Sequence, residues 1–178
     1  MLAITAFAVV CSLCSGASAF APTTPRVAGT AATRMMADKS SAPAFETAAV
    51  LTFAGASRAM AAAEACAEAN GWAVCIVVCD AGGEPMLMHR RTFTASAAVA
   101  AGKAKAATHF ARPTSALEAS VNAESGGRSA LLSAPYVLMR GGVPIVVDGV
   151  CVGAVGVSGV LADQDERVAM AAVGALTA

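Results

Sequence analysis

An Asp148-Gly149 pair set between two β-favouring runs constrains the fold of this chain more than any other feature. Pro144-Ile145-Val146-Val147 precedes it, and Val150-Cys151-Val152-Gly153-Ala154-Val155-Gly156-Val157 follows. Asp-Gly tolerates the positive φ values of a two-residue hairpin turn, so the two runs are predicted to pair antiparallel. A second hairpin is predicted upstream. There Trp72-Ala73-Val74-Cys75-Ile76-Val77-Val78-Cys79 leads through Asp80-Ala81-Gly82-Gly83-Glu84 into Pro85-Met86-Leu87-Met88-His89. Hairpins of this kind imply an antiparallel sheet whose apolar surface must be covered by other segments.

The covering segments are predicted to be helices. Phe45 to Asn70 is alanine-rich without proline, and Asn70-Gly71 supplies a stop that tolerates left-handed geometry. Thr94 or Ser96 can cap a second helix running to about Phe110, closed by Arg112-Pro113 because the residue before proline avoids the helical region. A short third helix is expected over Ser115 to Asn122, then a small, polar surface loop from Ala123 to Ser133, with order returning at Tyr136-Val137-Leu138. A last helix from about Ala162 to Ala175 carries Asp163 and Asp165 in its first turn, where carboxylates complement exposed N–H groups. The expected class is α+β, an antiparallel β-sheet with flanking α-helices in a single domain.

Composition adds one constraint. Hydrophobic residues make up 57% of the 178 and charged residues 13%, which excludes a disordered chain, but alanine and glycine supply most of the apolar count. Small side chains let elements approach closely while burying little area each, so a homo-oligomer is expected. Formal net charge is zero, and no stretch has the clustered Lys/Arg that a phosphate backbone requires, so nucleic acid is not an expected partner. Cys66, Cys75, Cys79 and Cys151 fit no zinc spacing and read as small hydrophobes.

The N-terminus reads as a leader. Leu2 to Leu13 is almost wholly apolar, and Ala17-Ser18-Ala19 places small residues where signal peptidase reads, so residues 1–19 are expected to be a signal peptide. Ser12, Ser15, Gly16 and Ser18 interrupt the run well short of the roughly 20 apolar residues a spanning helix needs, so no membrane association is expected after cleavage. Residues 20–40 begin Phe20-Ala21-Pro22 and carry Arg26 and Arg34 among Thr, Ala and Pro, the composition of a transit peptide. The pair resembles the bipartite presequences of algal plastid proteins. Plastid import is the expectation, with secretion as the alternative, and residues 41–178 form the mature domain.

Four segments of that domain resemble the GlcG/HbpS family, also found as the C-terminal domain of PduO-type proteins. They are Val77-Val78-Cys79-Asp80-Ala81-Gly82-Gly83; the stretch from Ser96 through Lys103-Ala104 and Ala107 to Phe110, Arg112, Pro113 and Thr114; Gly141-Gly142-Val143-Pro144-Ile145; and Gly153-Ala154-Val155-Gly156-Val157-Ser158-Gly159 with Gln164-Asp165-Glu166. The chain departs from the pattern at Arg90-Arg91-Thr92-Phe93, which is shorter than the family's turn, and at Ala106, where a threonine is common. The resemblance implies a profilin-like fold, assembly into oligomers and a haem or other tetrapyrrole ligand. It also leaves open a haem-degrading or other small-molecule enzyme, and a non-catalytic oligomeric accessory of the kind associated with glycolate metabolism.

Holding haem needs an apolar slot, an iron donor and polar groups for the propionates. His109 shares a helix face with Lys105 and is one turn from Arg112, which makes it the first candidate ligand, the alternative being a surface histidine. His89, beside Arg90 and Arg91, is the second metal candidate, or a solvated strand end. Lys103 could meet a ligand carboxylate or pair with an acid such as Asp80. Arg90, Arg112 and Thr114 complete the cofactor-binding candidates. No hydrolase elbow, zinc-protease helix or phosphate-binding loop is present in the sequence, so no catalytic residue is nominated.

Overall fold

In a computed structural model, residues 47–177 are described. They form α1 (Phe53–Ala69), β1 (Cys75–Asp80), β2 (Pro85–Arg90), α2 (Ala95–Phe110), α3 (Thr114–Asn122), a 3₁₀ turn (Ser129–Ser133), β3 (Gly142–Val147), β4 (Val150–Ser158) and α4 (Ala162–Thr177). The four strands make one antiparallel sheet in the order β2-β1-β4-β3, giving the expected α+β architecture. The expected leader, residues 1–40, lies outside the described residues. Among those described, no helix is long and apolar enough to cross a membrane.

Strand alternation assigns each face. Ile76 and Val78 of β1 and Val155 and Val157 of β4 pack with Ala56, Ala59 and Ala63 of α1 and Val168, Ala169 and Ala172 of α4. Cys75, Val77, Cys79 and Ala154 point the other way, onto Ala100, Ala104 and Ala107 of α2. The result is three layers, with β1 buried on both sides. On the α2 side the contact is between backbones. Gly142 and Gly156 face each other across β3 and β4, and a Cβ at either would run into main-chain atoms of α2, the Lys103 carbonyl and the Ala104 amide respectively. An alanine-lined helix seated on glycines brings the α2 residues 100–107 onto the sheet, and this placement sets the position of everything after them.

Local boundaries follow side-chain chemistry. The first helix begins at Phe53 rather than Phe45, because the Thr52 hydroxyl accepts the Gly55 N–H at 3.1 Å. Thr94 takes the N-cap position of α2 but makes no side-chain cap bond, and Ser96, inside the first turn, donates to the Phe93 carbonyl. The hairpin turn at Asp148 and Gly149 has φ of 50° and 81°, the doubly positive pair anticipated for Asp-Gly. Tyr136 to Leu138 is irregular rather than strand, and with Leu117, Ala106 and Phe110 it forms a satellite apolar cluster outside α2.

Candidate functional site

Lys103, a cofactor-binding candidate, lies in the core. Its side chain is 1% exposed, and Nζ donates to Asp165 Oδ2 and to the Val157 carbonyl, both at 2.8 Å. The partner acid is thus Asp165 of α4, not Asp80, which instead accepts N–H groups of Gly82 and Glu84 in its own turn. Burial pushes the Asp165 carboxyl above the ordinary carboxylate range, and the Lys103 ammonium pulls it back. Gly141, with φ of 122°, leaves room where a Cβ would come within 2.9 Å of Nζ. An ammonium so enclosed ties the α2 layer to the α4 layer with two of its three N–H bonds, and its burial keeps it from the surface. Thr114 is also committed: its buried hydroxyl accepts from the Gly142 N–H at 2.8 Å and holds the start of α3 against β3.

The two histidines occupy opposite ends and opposite faces of the sheet. His89 sits opposite Ile76 on the α1 side, its Nδ1 on Glu64 Oε1, and next to it Arg90 is exposed at the strand end. His109 ends α2 beside the β1–β2 turn, with Nε2 2.9 Å from the Gly82 carbonyl. A six-residue strand such as β2 spans about 17 Å, so these residues are not brought together within one chain. Arg112 follows the left-handed C-cap Ala111, is exposed, and stays near His109.

His109 has a second partner that sequence reasoning did not supply. Nδ1 lies 2.9 Å from the Tyr136 hydroxyl. Because the Gly82 carbonyl can only accept, Nε2 carries its hydrogen, and in the neutral ring Nδ1 is left to accept from the phenol. The Tyr136 ring is held edge-on against His109, with centroids 5.6 Å apart at 81°, and against Phe110, 5.1 Å at 71°. Gly83, with φ of 79°, makes this possible, since a Cβ there would stand 3.0 Å from Nε2.

Tyr136 also lines a cleft of about 460 Å³ between α3 and the chain around Leu132 and Val137–Met139, a size suited to a small-molecule site. Val121, Leu132, Val137 and Leu138 give it apolar walls, and Asn122 and Glu118 add polar edges. Its shape is fixed from outside. Glu118 Oε2 accepts the Arg140 N–H at 2.5 Å, Arg140 Nε reaches Glu166 at the same distance, and the Arg128 N–H returns to the Ser120 carbonyl. The cleft therefore has apolar walls, with the Met139 thioether, the Tyr136 ring and the Glu118 carboxylate among its lining, while Lys103 is in the core.

Comparison with known proteins gives a consistent picture. Residues 51–174 match the family model described as HbpS-like, haem degrading protein. Protein GlcG of Escherichia coli strain K12 is 41% identical over 106 residues, 58% of this chain and 77% of that one. The crystal structure of Klebsiella pneumoniae protein ORFY superposes with a TM-score of 0.71 at 27% identity, covering 77% of this chain and 97% of the other. A PduOC:haem complex superposes at 0.66 and 24% identity over 71% and 95%, a likeness of fold.

Proposed function

The chain belongs to the HbpS-like family, and from that premise we propose that it binds haem or a closely related tetrapyrrole in the cleft between α3 and Leu132–Met139. The observation that carries this reading is the juxtaposition of an apolar cleft with a phenol fixed in its wall by a histidine. The family's description names haem, and a protein of the same fold has been solved in complex with it. The polar ends of the ligand would meet Asn122 and solvent, with Arg112 the nearest uncommitted cation by sequence to the His109 end of the site. Bound haem would supply the reactive iron, and the protein would supply orientation and exclusion of water.

Hemin titration of residues 41–178 tests the reading. A saturable Soret shift is expected, weakened in Leu132→Glu, which places a carboxylate in an apolar wall at a residue 67% exposed and therefore outside the core. A spectrum that stays that of free hemin would end the proposal. The family description also favours a second reading, oxidative haem breakdown. Hemin with a reductant would then bleach to a linear product in the presence of the protein, and a stable Soret band would count against it.

Self-association and plastid import belong to the same proposal. Val146, Val147 and Val150 leave an exposed apolar hairpin tip beside the edge strand β3, which favours burial against another copy, and light scattering gives the mass. The composition of residues 1–40 favours import, and a fluorescent fusion to that segment reports the compartment.

A further inference from the structure

We infer that the face where the β3–β4 hairpin meets the start of α1 is a two-fold interface between copies of this chain. In it the hairpin tip of each copy seats in the hollow beside α1 of the other, and Asp148 of each meets Arg58 of the other. The inference rests on the self-association reading above and deepens it, since it selects the surface and the contacts.

Val147 lines a hollow between the hairpin and α1, and Val150 is its cross-strand partner. Val50, Gly55, Arg58 and Leu176 line the rest, enclosing about 180 Å³. That is below the roughly 300–1,000 Å³ of a small-molecule site, but it admits aliphatic side chains. Val50 is 76% exposed and Val150 54%, so an apolar knob and an apolar hollow lie side by side on one surface. Isologous pairing uses such a surface, because each copy supplies the knob and receives the other's. Extending the sheet is a poorer route to the same end. The edge strand there is β3, and Pro144 in its middle has no N–H to offer an added strand.

Charge selects the occupant. Asp148 and Arg58 are both exposed, and among the described residues neither side chain makes an ion pair or hydrogen bond. Asp148 is at the hairpin tip, two residues before Val150, and Arg58 lines the hollow. A tip placed in the hollow of a second copy therefore carries a carboxylate to a guanidinium, and the two-fold axis repeats the pair. An unrelated apolar segment would need an acid at the same offset. A second copy has it already.

The test is sedimentation equilibrium of residues 41–178, which contain every described element, with circular dichroism as the check on the fold of each variant. The native protein should show a mass above that of one chain. Arg58→Glu sets like charges against each other twice per interface and should weaken association about 100-fold or more. Asp148→Lys should do the same, while Arg58→Glu/Asp148→Lys should return to within about 10-fold of the native protein. A lysine at φ of 50° strains the turn, but the strain is common to the single and double variants, so the recovery reads the pairing. Val150→Glu, at an exposed position, should also dissociate the pair. If the native protein associates and both Arg58→Glu and Val150→Glu leave the mass unchanged, this surface is not the interface, although self-association holds. If Arg58→Glu dissociates the pair and the double variant recovers nothing, Asp148 and Arg58 are not partners and the inference fails. A native protein that stays monomeric at every concentration overturns the self-association reading as well.

Discussion

Replacing Lys103 by methionine isolates the interaction that joins the two helical layers. Methionine matches the aliphatic stem, so the change removes the ammonium without opening a large cavity. It strands the Asp165 carboxylate and the Val157 carbonyl, both of which lose a 2.8 Å donor in a region where Lys103 is 1% and Asp165 4% exposed. Removing one member of a buried pair costs about 3–5 kcal/mol, because the surviving carboxylate, shielded from water, keeps only the Val160 and Gly159 N–H groups and no counter-charge. With a urea m-value of about 2 kcal/mol/M, the unfolding midpoint should fall by roughly 2 M. The pH dependence has a defined sign. Burial raises the folded-state pKa of Asp165. A raised carboxyl contributes fully below the unfolded value of about 3.9 and loses its contribution as pH climbs through the folded value. Without Lys103 that folded value rises further, so the deficit of Lys103→Met relative to the native protein should be small near pH 4 and grow toward pH 7. The double variant Lys103→Met/Asp165→Leu removes both charges and should recover much of the loss. A midpoint shift below about 0.5 M at pH 7 would refute the reasoning, as would a double variant no more stable than the single one.

Other expectations follow from individual contacts. Gly156→Ala puts a methyl into the main chain of α2 at Ala100 and Ala104 and should cost about 1–3 kcal/mol or more, read as a lower thermal midpoint. Gly174→Ala, in α4 with nothing near its Cβ position, should instead stabilise by about 0.5–1 kcal/mol in the same assay. Burial holds the Cys75 and Cys79 thiols protonated above their ordinary range, so at neutral pH iodoacetamide followed by mass spectrometry should label the half-buried Cys66 and Cys151 first. His89→Ala should leave hemin affinity unchanged, since His89 pairs with Glu64 on the face away from the cleft.

The sheet was legible because its signals are local. Asp148-Gly149 and the Asp80–Glu84 turn state their geometry in their own residues, and β-rich runs on either side leave one pairing each. The glycines at 142 and 156 stand in segments that carry the family resemblance, and in the fold they seat α2. The start of α1 was not legible, since the alanine-rich run carries no change of composition at Thr52, where the cap forms. Lys103 was singled out, but its partner is 62 residues away, and Asp165 looked like a helix-terminus carboxylate, a role that Asp163 can fill alone. Tyr136 escaped notice as a site residue because it sits in irregular chain 27 residues from His109. Its only sequence signal was being the sole tyrosine of an aromatic-poor chain.

Gallium protoporphyrin, a diamagnetic stand-in for ferric haem, allows the cleft to be mapped by NMR in residues 41–178. Saturable amide shifts concentrated at Val121, Leu132 and Tyr136–Met139, with a matching shift of the single tyrosine ring, are the expected result. Shifts centred instead on Trp72, Arg91 and His89, or no saturable shift at all, would contradict the placement of a tetrapyrrole in this cleft.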